Sequence, residues 1–264
     1  MILMMLSETG NALADDIHWE QLAEGFAVSI WKPGTTCADV PPTMITDIDP
    51  ERYRFSVHFY AQEGLSEPPT IQEWQHHTGH HLLFNAGLFR DDFTYLGLLY
   101  KNGQSLGSRR HVSWHGLFVA EPTAPGRRNA RVLDLSLDPF DEQRMAYTEA
   151  AQALMLVDRD GKIRVRQSGK RAFQTVVAET AKGHILVLKT LDPVTLYDFG
   201  RCLHEQFPAV HQVMSMDGGS SSDLLIPEAL WKRNEQAHPA WKSLFAGTTG
   251  LHVPLPAVIG ISPR

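Results

Sequence analysis

A short loop in the second half of the chain concentrates residues suited to acid–base chemistry and anion binding. It follows an apolar run, residues 210–216, and reads Asp217, Gly218, Gly219, Ser220, Ser221 and Ser222. A short apolar run is typical of a buried strand, which would deliver Asp217 to a strand end. The glycines permit a sharp turn and close approach of a ligand, and exposed amides and hydroxyls can hold an anion such as phosphate. Taken alone, the pattern also fits an ordinary tight turn with solvated serines.

A second segment places polar groups at the end of an apolar run in the first half of the chain. Asn85, Ala86 and Gly87 follow the apolar residues 82–84. An Asn side chain both donates and accepts hydrogen bonds, which suits a sugar or phosphate oxygen. The alternative is an Asn that caps a turn. Because functional groups collect on loops positioned by a rigid scaffold, we predict that Asn85 and Asp217 converge on one cleft.

Together, and with further segments in the same order, these two motifs resemble those of the phosphodiester glycosidase superfamily. Its members carry an Asn-Gly-Gly-Phe-like segment and, later, an Asp-Gly-Gly-Gly-Ser-like loop. Its bacterial branch shows an Asn-Ala-Gly-hydrophobic-aromatic segment, matched here by residues 85–89. Further matches are Gly97, Leu98, Asn102, Gly103, Gln152, residues 175–178, residues 195–197, residues 256–259 and Arg264. The resemblance extends over residues 80–264.

The resemblance implies a hydrolase that cleaves the glycosidic bond of a sugar-1-phosphodiester without a cofactor or metal. Asp217 would be the essential carboxylate, and Asn85 would orient the sugar or phosphate. Substrate would also contact Gly87, Arg171, Gln174, Gly218, Gly219, Ser220, Ser221 and Ser222. Glycosidases usually employ two carboxyl groups. The second would come from an unranked set, Asp91, Asp92, Glu179 and Asp223.

Two departures from the family pattern concern the anion site. Family members often have an Arg directly before the Thr that opens the strand after the second hairpin. Gln174 stands there in this chain, with Arg171 three residues earlier, and Ser220 replaces the third glycine of the loop. Either Arg171 reaches the phosphate through a shifted loop, or the anion site is weakened. Both departures leave the identity of the substrate open.

The elements that would position these motifs are mostly strands. Alternation predicts a half-buried strand over residues 53–60, and hairpins are predicted around residues 98–103, 154–165 and 175–188. The clearest helix begins at Thr195, where Asp198 completes a capping box with a shorter acid. Residues 71–77 and 142–153 are weaker helix candidates. This order predicts an α+β domain with a mixed, hairpin-rich sheet and a few packed helices.

Composition fits one globular domain with a sizeable core: the chain has 264 residues, 43% hydrophobic and 20% charged. Residues 1–14 would be a degenerate or truncated signal segment, and residues 15–264 the domain. A net charge of −6 with only short basic stretches argues against a nucleic-acid partner. No segment approaches the ~20 apolar residues that span a bilayer. A periplasmic or secreted location is expected over a cytoplasmic one.

The cysteines and histidines give weaker indications of function than the two motifs. We predict that Cys37 and Cys202 are not paired, because Cys202 falls in the predicted helix and Cys37 lies far upstream in a loop. Residues 76–81 contain four histidines. No pair of these histidines at helical i, i+4 spacing has a carboxylate nearby in the sequence to complete a metal site. We therefore expect a solvated loop rather than a metal site. His111 and His115 flank Trp114, and either could supply an acid or base to the cleft.

Two other functions fit the same sequence. One is a non-catalytic carbohydrate- or cell-envelope-binding module that keeps the fold and the loop. The other is a metal-dependent phosphodiesterase or phosphatase, which the histidine-rich segment would favour. Asp217→Asn should abolish turnover but preserve binding in a glycosidase, whereas a binding module has no turnover to lose. Chelator-resistant activity would argue against the metal enzyme.

Overall fold

The computed structural model describes residues 17–231 and 252–264, so the suggested signal segment, residues 1–14, lies outside the described residues. The helices are α1 Ile71–Thr78, α2 Leu196–Gln206 and α3 Glu228–Trp231. The strands are β1 Glu20–Ala23, β2 Phe26–Trp31, β3 Thr43–Ile48, β4 Tyr53–Phe59, β5 Leu82–Asn85, β6 Leu99–Lys101, β7 Gln104–Ser105, β8 Gly116–Pro122, β9 Ala130–Asp134, β10 Tyr147–Val157, β11 Arg171–Ala172, β12 Thr175–Thr180, β13 Ile185–Thr190, β14 Val194–Thr195, β15 Val210–Ser215, β16 Leu224–Leu225 and β17 Ala257–Pro263.

Two antiparallel sheets dominate the architecture, which is α+β as predicted. The large sheet has eleven strands, with the main order β1-β2-β3-β13-β12-β15-β10-β6-β7 and with β8 and β9 attached through β10. The small sheet has the order β16-β5-β17-β4. Every strand pairing in the described part of the chain is antiparallel, where the sequence suggested a mixed sheet. Five pairs of consecutive strands pair directly with each other, namely β1–β2, β2–β3, β6–β7, β8–β9 and β12–β13. Strands joined in this hairpin fashion can only be antiparallel neighbours.

The main core lies between the two sheets. Phe26, Val177 and Met214 of the large sheet meet Phe84 and Ile259 of the small sheet in one buried cluster. Helix α2 covers the opposite face of the large sheet, and α1 covers the outer face of the small sheet. The result is a helix–sheet–sheet–helix stack. Burial on both faces explains why the central strands β12 and β13 are buried along their entire length.

Helix α1 confirms the weaker helix prediction for residues 71–77. Thr70 caps it through a full capping box with Glu73. Gly79 ends it in the left-handed conformation, with φ of 67°, a region that glycine enters without steric cost. Among the described residues, no helix is long and apolar enough to cross a membrane.

The helix prediction for residues 142–153 was wrong, because most of that segment forms β10. Alanine favours helices in isolation. Here Ala150, Ala151 and Ala153 lie in a strand that pairs with β8 over residues 147–153 and with β6 and β15 as well, so tertiary pairing overrides local preference. The hairpin predicted over residues 154–165 is reduced to a single bridge between Val157 and Ile163.

The histidine-rich segment is not the solvated loop expected from the sequence. His76 and His77 lie in the last turn of α1, and His80 is buried. The Nε2 atom of His80 lies 2.7 Å from Nε2 of His58 on β4, and its Nδ1 lies 2.6 Å from the hydroxyl of Ser262. Within residues 17–231 and 252–264, no three His, Cys, Asp or Glu side chains are arranged to hold a metal ion.

This histidine pair leads to a prediction about stability and pH. Burial, followed by the charges of His58 and Lys101, lowers the pKa of His80 to about 4, whereas an unfolded histidine titrates near ~6.5. The folded state therefore resists protonation, and the stability that His80 contributes is complete above pH ~6.5 and is lost as the pH falls towards ~4. We expect the unfolding free energy of wild type relative to His80→Asn to shrink by up to ~3 kcal/mol between pH 7 and 4. Urea unfolding of both proteins across this range measures it, and a pH-independent difference would contradict it.

Cys37 and Cys202 form a disulfide, contrary to the prediction that they are free. Their Cα atoms lie 5.6 Å apart although 165 positions separate them in sequence. The prediction failed because it treated distance along the chain as distance in space. Cys37 lies in a 3₁₀ turn that packs with α2 in the core on the outer face of the large sheet, and this core brings the two sulfurs together.

Candidate active site

The side chain of Asn85 holds both ends of the loop that follows β15. Its Nδ2 donates to the backbone oxygen of Asp217 (2.8 Å) and to that of Ala86 (3.1 Å). Its Oδ1 accepts from the backbone N–H of Asp223 (2.9 Å). Asn85 and Asp217 are therefore in contact, as the predicted convergence requires, although neither residue lines the cavity beside the loop. Both hydrogens of the Asn85 amide are used within the protein, which makes Asn85 a positioning residue for the loop.

Two glycines let this loop run close to its neighbours. The backbone N–H of Gly219 donates to the Phe173 oxygen (2.8 Å), and Gly219 has a positive φ of 68°. A Cβ on Gly218 would lie 2.9 Å from the Phe173 oxygen and 3.0 Å from Oε1 of Gln174. Gly218 is therefore required for close packing, whereas Gly219 is required for its backbone conformation.

In an enzyme that uses this loop for catalysis, Gly218→Ala should lower turnover about 10-fold or more. The added methyl group pushes the loop away from a backbone oxygen that cannot retract, and displacement of a catalytic loop by ~1 Å can cost up to ~100-fold. Gly219→Ala is the matched control: nothing lies within 4 Å of its Cβ, although its φ is strained. Steady-state kinetics with thermal melts would test the pair. Equal losses in the two variants would show that close packing at Gly218 is not the reason.

Asp217 is a carboxyl group in a desolvated position. Burial raises its pKa above the usual value, and this outweighs the hydrogen bonds from the Ser221 hydroxyl and the Gly218 N–H and the charge of Lys170, which all lower it. The sequence left the sign of this shift open. A raised pKa keeps the carboxyl protonated to a higher pH than an ordinary aspartate, and the protonated form is the one that a general acid needs.

A cavity of about 440 Å³ opens beside the loop. The loop contributes Gly219, Ser220, Ser222 and Asp223 to its lining; other lining residues are Arg171, Ala172, Phe173, Lys189, Pro193 and His252. Asp217 is partly buried and does not line this cavity. The cavity therefore presents Asp223 to a ligand, while Asp217 lies at the other end of the same loop.

Three charged or titratable side chains meet inside the cavity. The buried carboxylate of Asp223 accepts from Nζ of Lys189 (3.1 Å) and from the N–H of Leu224 (2.9 Å) through Oδ1. Its Oδ2 lies 2.5 Å from Nδ1 of His252. Lys189 belongs to the buried strand β13 and is only 7% exposed, so its charge is directed to Asp223 and the cavity rather than to solvent. A carboxylate bound to one nitrogen of a histidine fixes the orientation of the ring.

The structure gives the other predicted binding residues different roles. Arg171 lies at the cavity, where its Nη2 donates to the Pro193 oxygen (2.8 Å). Gln174 is buried, and its Nε2 donates to the oxygens of Ala172 and Val194. Gly87 is also buried, and a Cβ there would lie 2.3 Å from the hydroxyl oxygen of Tyr95. Of these three residues, only Arg171 lines the cavity and carries a positive charge for an anion, whereas Gln174 and Gly87 are buried in packing contacts.

Of the four carboxylates suggested as the second acid, the structure places only Asp223 in the cavity. Asp91 and Asp92 are exposed. Glu179 is fully buried near the far end of β12, where it pairs with arginines. His111 stacks on Trp114, with ring centroids 3.9 Å apart, and neither His111 nor His115 lines the cavity.

Two residues of the cavity were missed by the sequence reading. Lys189 carried a signal, because it is the single charged residue in the strand Ile185–Thr190, and a buried lysine demands a partner. Nothing in the sequence distinguished His252, since it is one histidine among thirteen and has no adjacent motif.

Comparisons with known proteins identify the family and the fold. A family model described as phosphodiester glycosidase matches residues 78–261. None of the curated proteins matches the chain. Among solved structures, the catalytic domain of zebrafish N-acetylglucosamine-1-phosphodiester alpha-N-acetylglucosaminidase, auto-inhibited by its pro-peptide, is 13% identical with a TM-score of 0.61, over 92% of this chain and 85% of that chain. A hypothetical protein from Synechocystis is 11% identical with a TM-score of 0.64. The match covers 94% of this chain but only 64% of that protein.

Proposed function

The chain belongs to the phosphodiester glycosidase family, and from this we propose that it is a hydrolase that cleaves the glycosidic bond of a sugar-1-phosphodiester. The observation that carries the proposal is the group formed by Lys189, Asp223 and His252 in a cavity beside the family's Asp-Gly-Gly loop. This group combines a cation for the phosphate with a carboxylate–histidine pair for proton transfer. Residues 15–264 would act as one domain.

The phosphate would be bound by side chains rather than by the glycine amides. Those amides are already used, since Gly218 donates to Asp217 Oδ1 and Gly219 donates to the Phe173 oxygen. Lys189 and Arg171 line the cavity and supply positive charge, and the exposed Ser220 adds a hydroxyl donor. Charge-assisted hydrogen bonds to a phosphate are about twice as strong as neutral ones. This assignment moves the anion site away from Gln174, Gly218 and Gly219.

The two carboxyl groups would have different tasks. Asp217, whose pKa is raised, would donate a proton to the oxygen that leaves the anomeric carbon. Because Asp217 does not line the cavity, the sugar would extend from the cavity along the loop to reach it. His252, oriented by Asp223, takes a proton from the attacking water. The hydroxyl of that water joins the anomeric carbon, the carbon–oxygen bond breaks, and a free sugar and a phosphomonoester leave. Two carboxyl groups in contrasting environments are the usual basis for separate acid and base roles.

A panel of sugar-1-phospho-(p-nitrophenyl) diesters tests the proposal. Cleavage of the glycosidic bond yields p-nitrophenyl phosphate, which becomes coloured only after a phosphatase is added. Cleavage of the bond between phosphorus and the aryl oxygen yields p-nitrophenol at once and would indicate a phosphodiesterase. Binding without release of either product would indicate a non-catalytic carbohydrate-binding module. The expected result is phosphatase-dependent colour that persists in the presence of a chelator.

The disulfide supports a location outside the reducing cytosol. Structural disulfides persist in oxidising compartments such as the bacterial periplasm and the extracellular space. The Cys37–Cys202 bond lies in a buried core, where both residues are 0% exposed. We therefore favour a periplasmic or secreted enzyme.

A further inference from the structure

A second cavity lies at the opposite end of β12 from the candidate active site. Phe173, just before this strand, lines the first cavity, and Ala181, just after it, lines the second. The second cavity measures about 590 Å³, and five of its lining side chains are polar or charged: Arg127, Arg128, Arg131, Tyr147 and His211. Six strand residues at ~3.3 Å each separate the two cavities by roughly 20 Å. A single small ligand cannot reach both.

The charges at this cavity do not balance. The buried carboxylate of Glu179 accepts from Nη1 of Arg128 (2.6 Å) and from Nε of Arg131 (3.4 Å) through its Oε1. Its Oε2 accepts from the N–H of Val132 (3.0 Å). One anion is thus shared by two guanidinium groups, which are held in fixed orientations by a residue that is 0% exposed. Neutralising Glu179 explains one of the two arginines but not the second.

A third arginine and a histidine add to this excess. Arg127 and His211 are exposed at the cavity, and neither forms an ion pair within residues 17–231 and 252–264. Burial raises the pKa of Tyr147, while the charges of Arg131, Arg127 and Arg128 act on the same hydroxyl in the opposite direction and Glu179 is the opposing carboxylate. Three arginines and one carboxylate therefore surround this concave surface, and two of the three guanidinium groups are already held in place by Glu179. Guanidinium groups fixed in this way match the oxygens of phosphate and sulfate groups.

We propose that this cavity is a second anion-binding site, which takes a phosphate or sulfate ester. The Glu179 carboxylate positions Arg128 and Arg131, Arg127 supplies the uncompensated charge, and His211 completes the rim. Basic stretches with interleaved aromatic residues, which mark nucleic-acid surfaces, are absent around residues 126–131. The ester can belong to a free small molecule or to a longer anionic glycan, and both offer the same tetrahedral oxyanion.

The test is a backbone amide NMR titration of the full chain with inorganic pyrophosphate and, separately, with a sulfated heparin hexasaccharide. Pyrophosphate should produce saturable shifts around residues 126–131 and 181–183, distinct from any response around residues 171–174 and 217–223. The double variant Arg127→Gln/His211→Gln should weaken the first response ~10-fold or more, because it removes the charged hydrogen-bond donor that Glu179 does not neutralise. The second response should not change. Arg54→Gln, exposed on β4, removes an equal charge elsewhere and should change neither.

The outcomes separate this proposal from the proposed enzymatic activity. Saturable binding that is lost in the double variant and kept in Arg54→Gln supports the second site whether or not the protein is a glycosidase. Tighter binding of the hexasaccharide than of pyrophosphate assigns the site to a glycan-borne ester, and the reverse assigns it to a small free anion. No saturable shift around residues 126–131 with either probe, or equal shifts in the double variant, would overturn it.

Discussion

The Asp217→Asn protein should fold normally and lose turnover by at least ~100-fold, the usual contribution of a general acid or base. The substitution preserves the shape of the side chain but removes the proton that the leaving oxygen needs. Because burial raises the pKa of Asp217, the active protonated form persists above the usual range of a carboxyl group. In wild type, kcat/KM should fall as the pH rises through this raised pKa, and the variant should lack that limb.

Ser221→Ala is the matched control for Asp217→Asn. It removes one hydroxyl donor to the same carboxyl and should cost ~1 kcal/mol, about 5-fold in rate. Since that hydrogen bond lowers the pKa of Asp217, its loss should also move the alkaline limb of the pH profile upward. Kinetics on the substrate found in the diester panel, with thermal melts for folding, measure both effects. An Asp217→Asn protein that is folded and nearly fully active would remove Asp217 from the mechanism.

Removing the disulfide with Cys37→Ser/Cys202→Ser should destabilise the protein by about 2–5 kcal/mol, because the bond closes a long loop in the unfolded chain. The two residues are separated by 165 positions. For a chain of this size the melting temperature should fall by on the order of 10 °C. Calorimetry of the variant and of wild type with and without a reductant measures the loss.

The reductant also serves as the control for this second prediction. It should lower the melting temperature of wild type towards that of the double variant and leave the variant itself unchanged. If the variant and wild type melt together under oxidising conditions, the bond does not stabilise the folded state.

The residues of the candidate site that could be predicted are those marked by a local sequence pattern. Asn85 and Asp217 each follow a short apolar strand, and the strand ends meet because β5 and β15 deliver them to the same place. The resemblance to a family added the order of the motifs. What the patterns did not reveal is that Asn85 uses its amide to fix the loop, since satisfied hydrogen bonds cannot be distinguished from free ones in a sequence.

The remaining site residues depend on contacts between distant segments. Lys189 and Asp223 are 34 positions apart, and His252 follows 29 positions later. No spacing rule links them. The same reason explains the wrong prediction for Cys37 and Cys202. The misassigned strand β10 failed differently, because its alanines favour a helix unless neighbouring strands supply hydrogen bonds on both edges.

The pairing of β17 with β5 has a consequence for how the protein matures. Ile259 pairs with Phe84 across 175 positions, and Asn85 itself pairs with Val258. Contacts so distant in sequence form slowly because a long loop must close first. The hydrogen bonds by which Asn85 holds residues 217–223 therefore depend on the pairing of β5 with β17. During synthesis, the site around Asn85 would thus assemble only after residues 257–263 have been made.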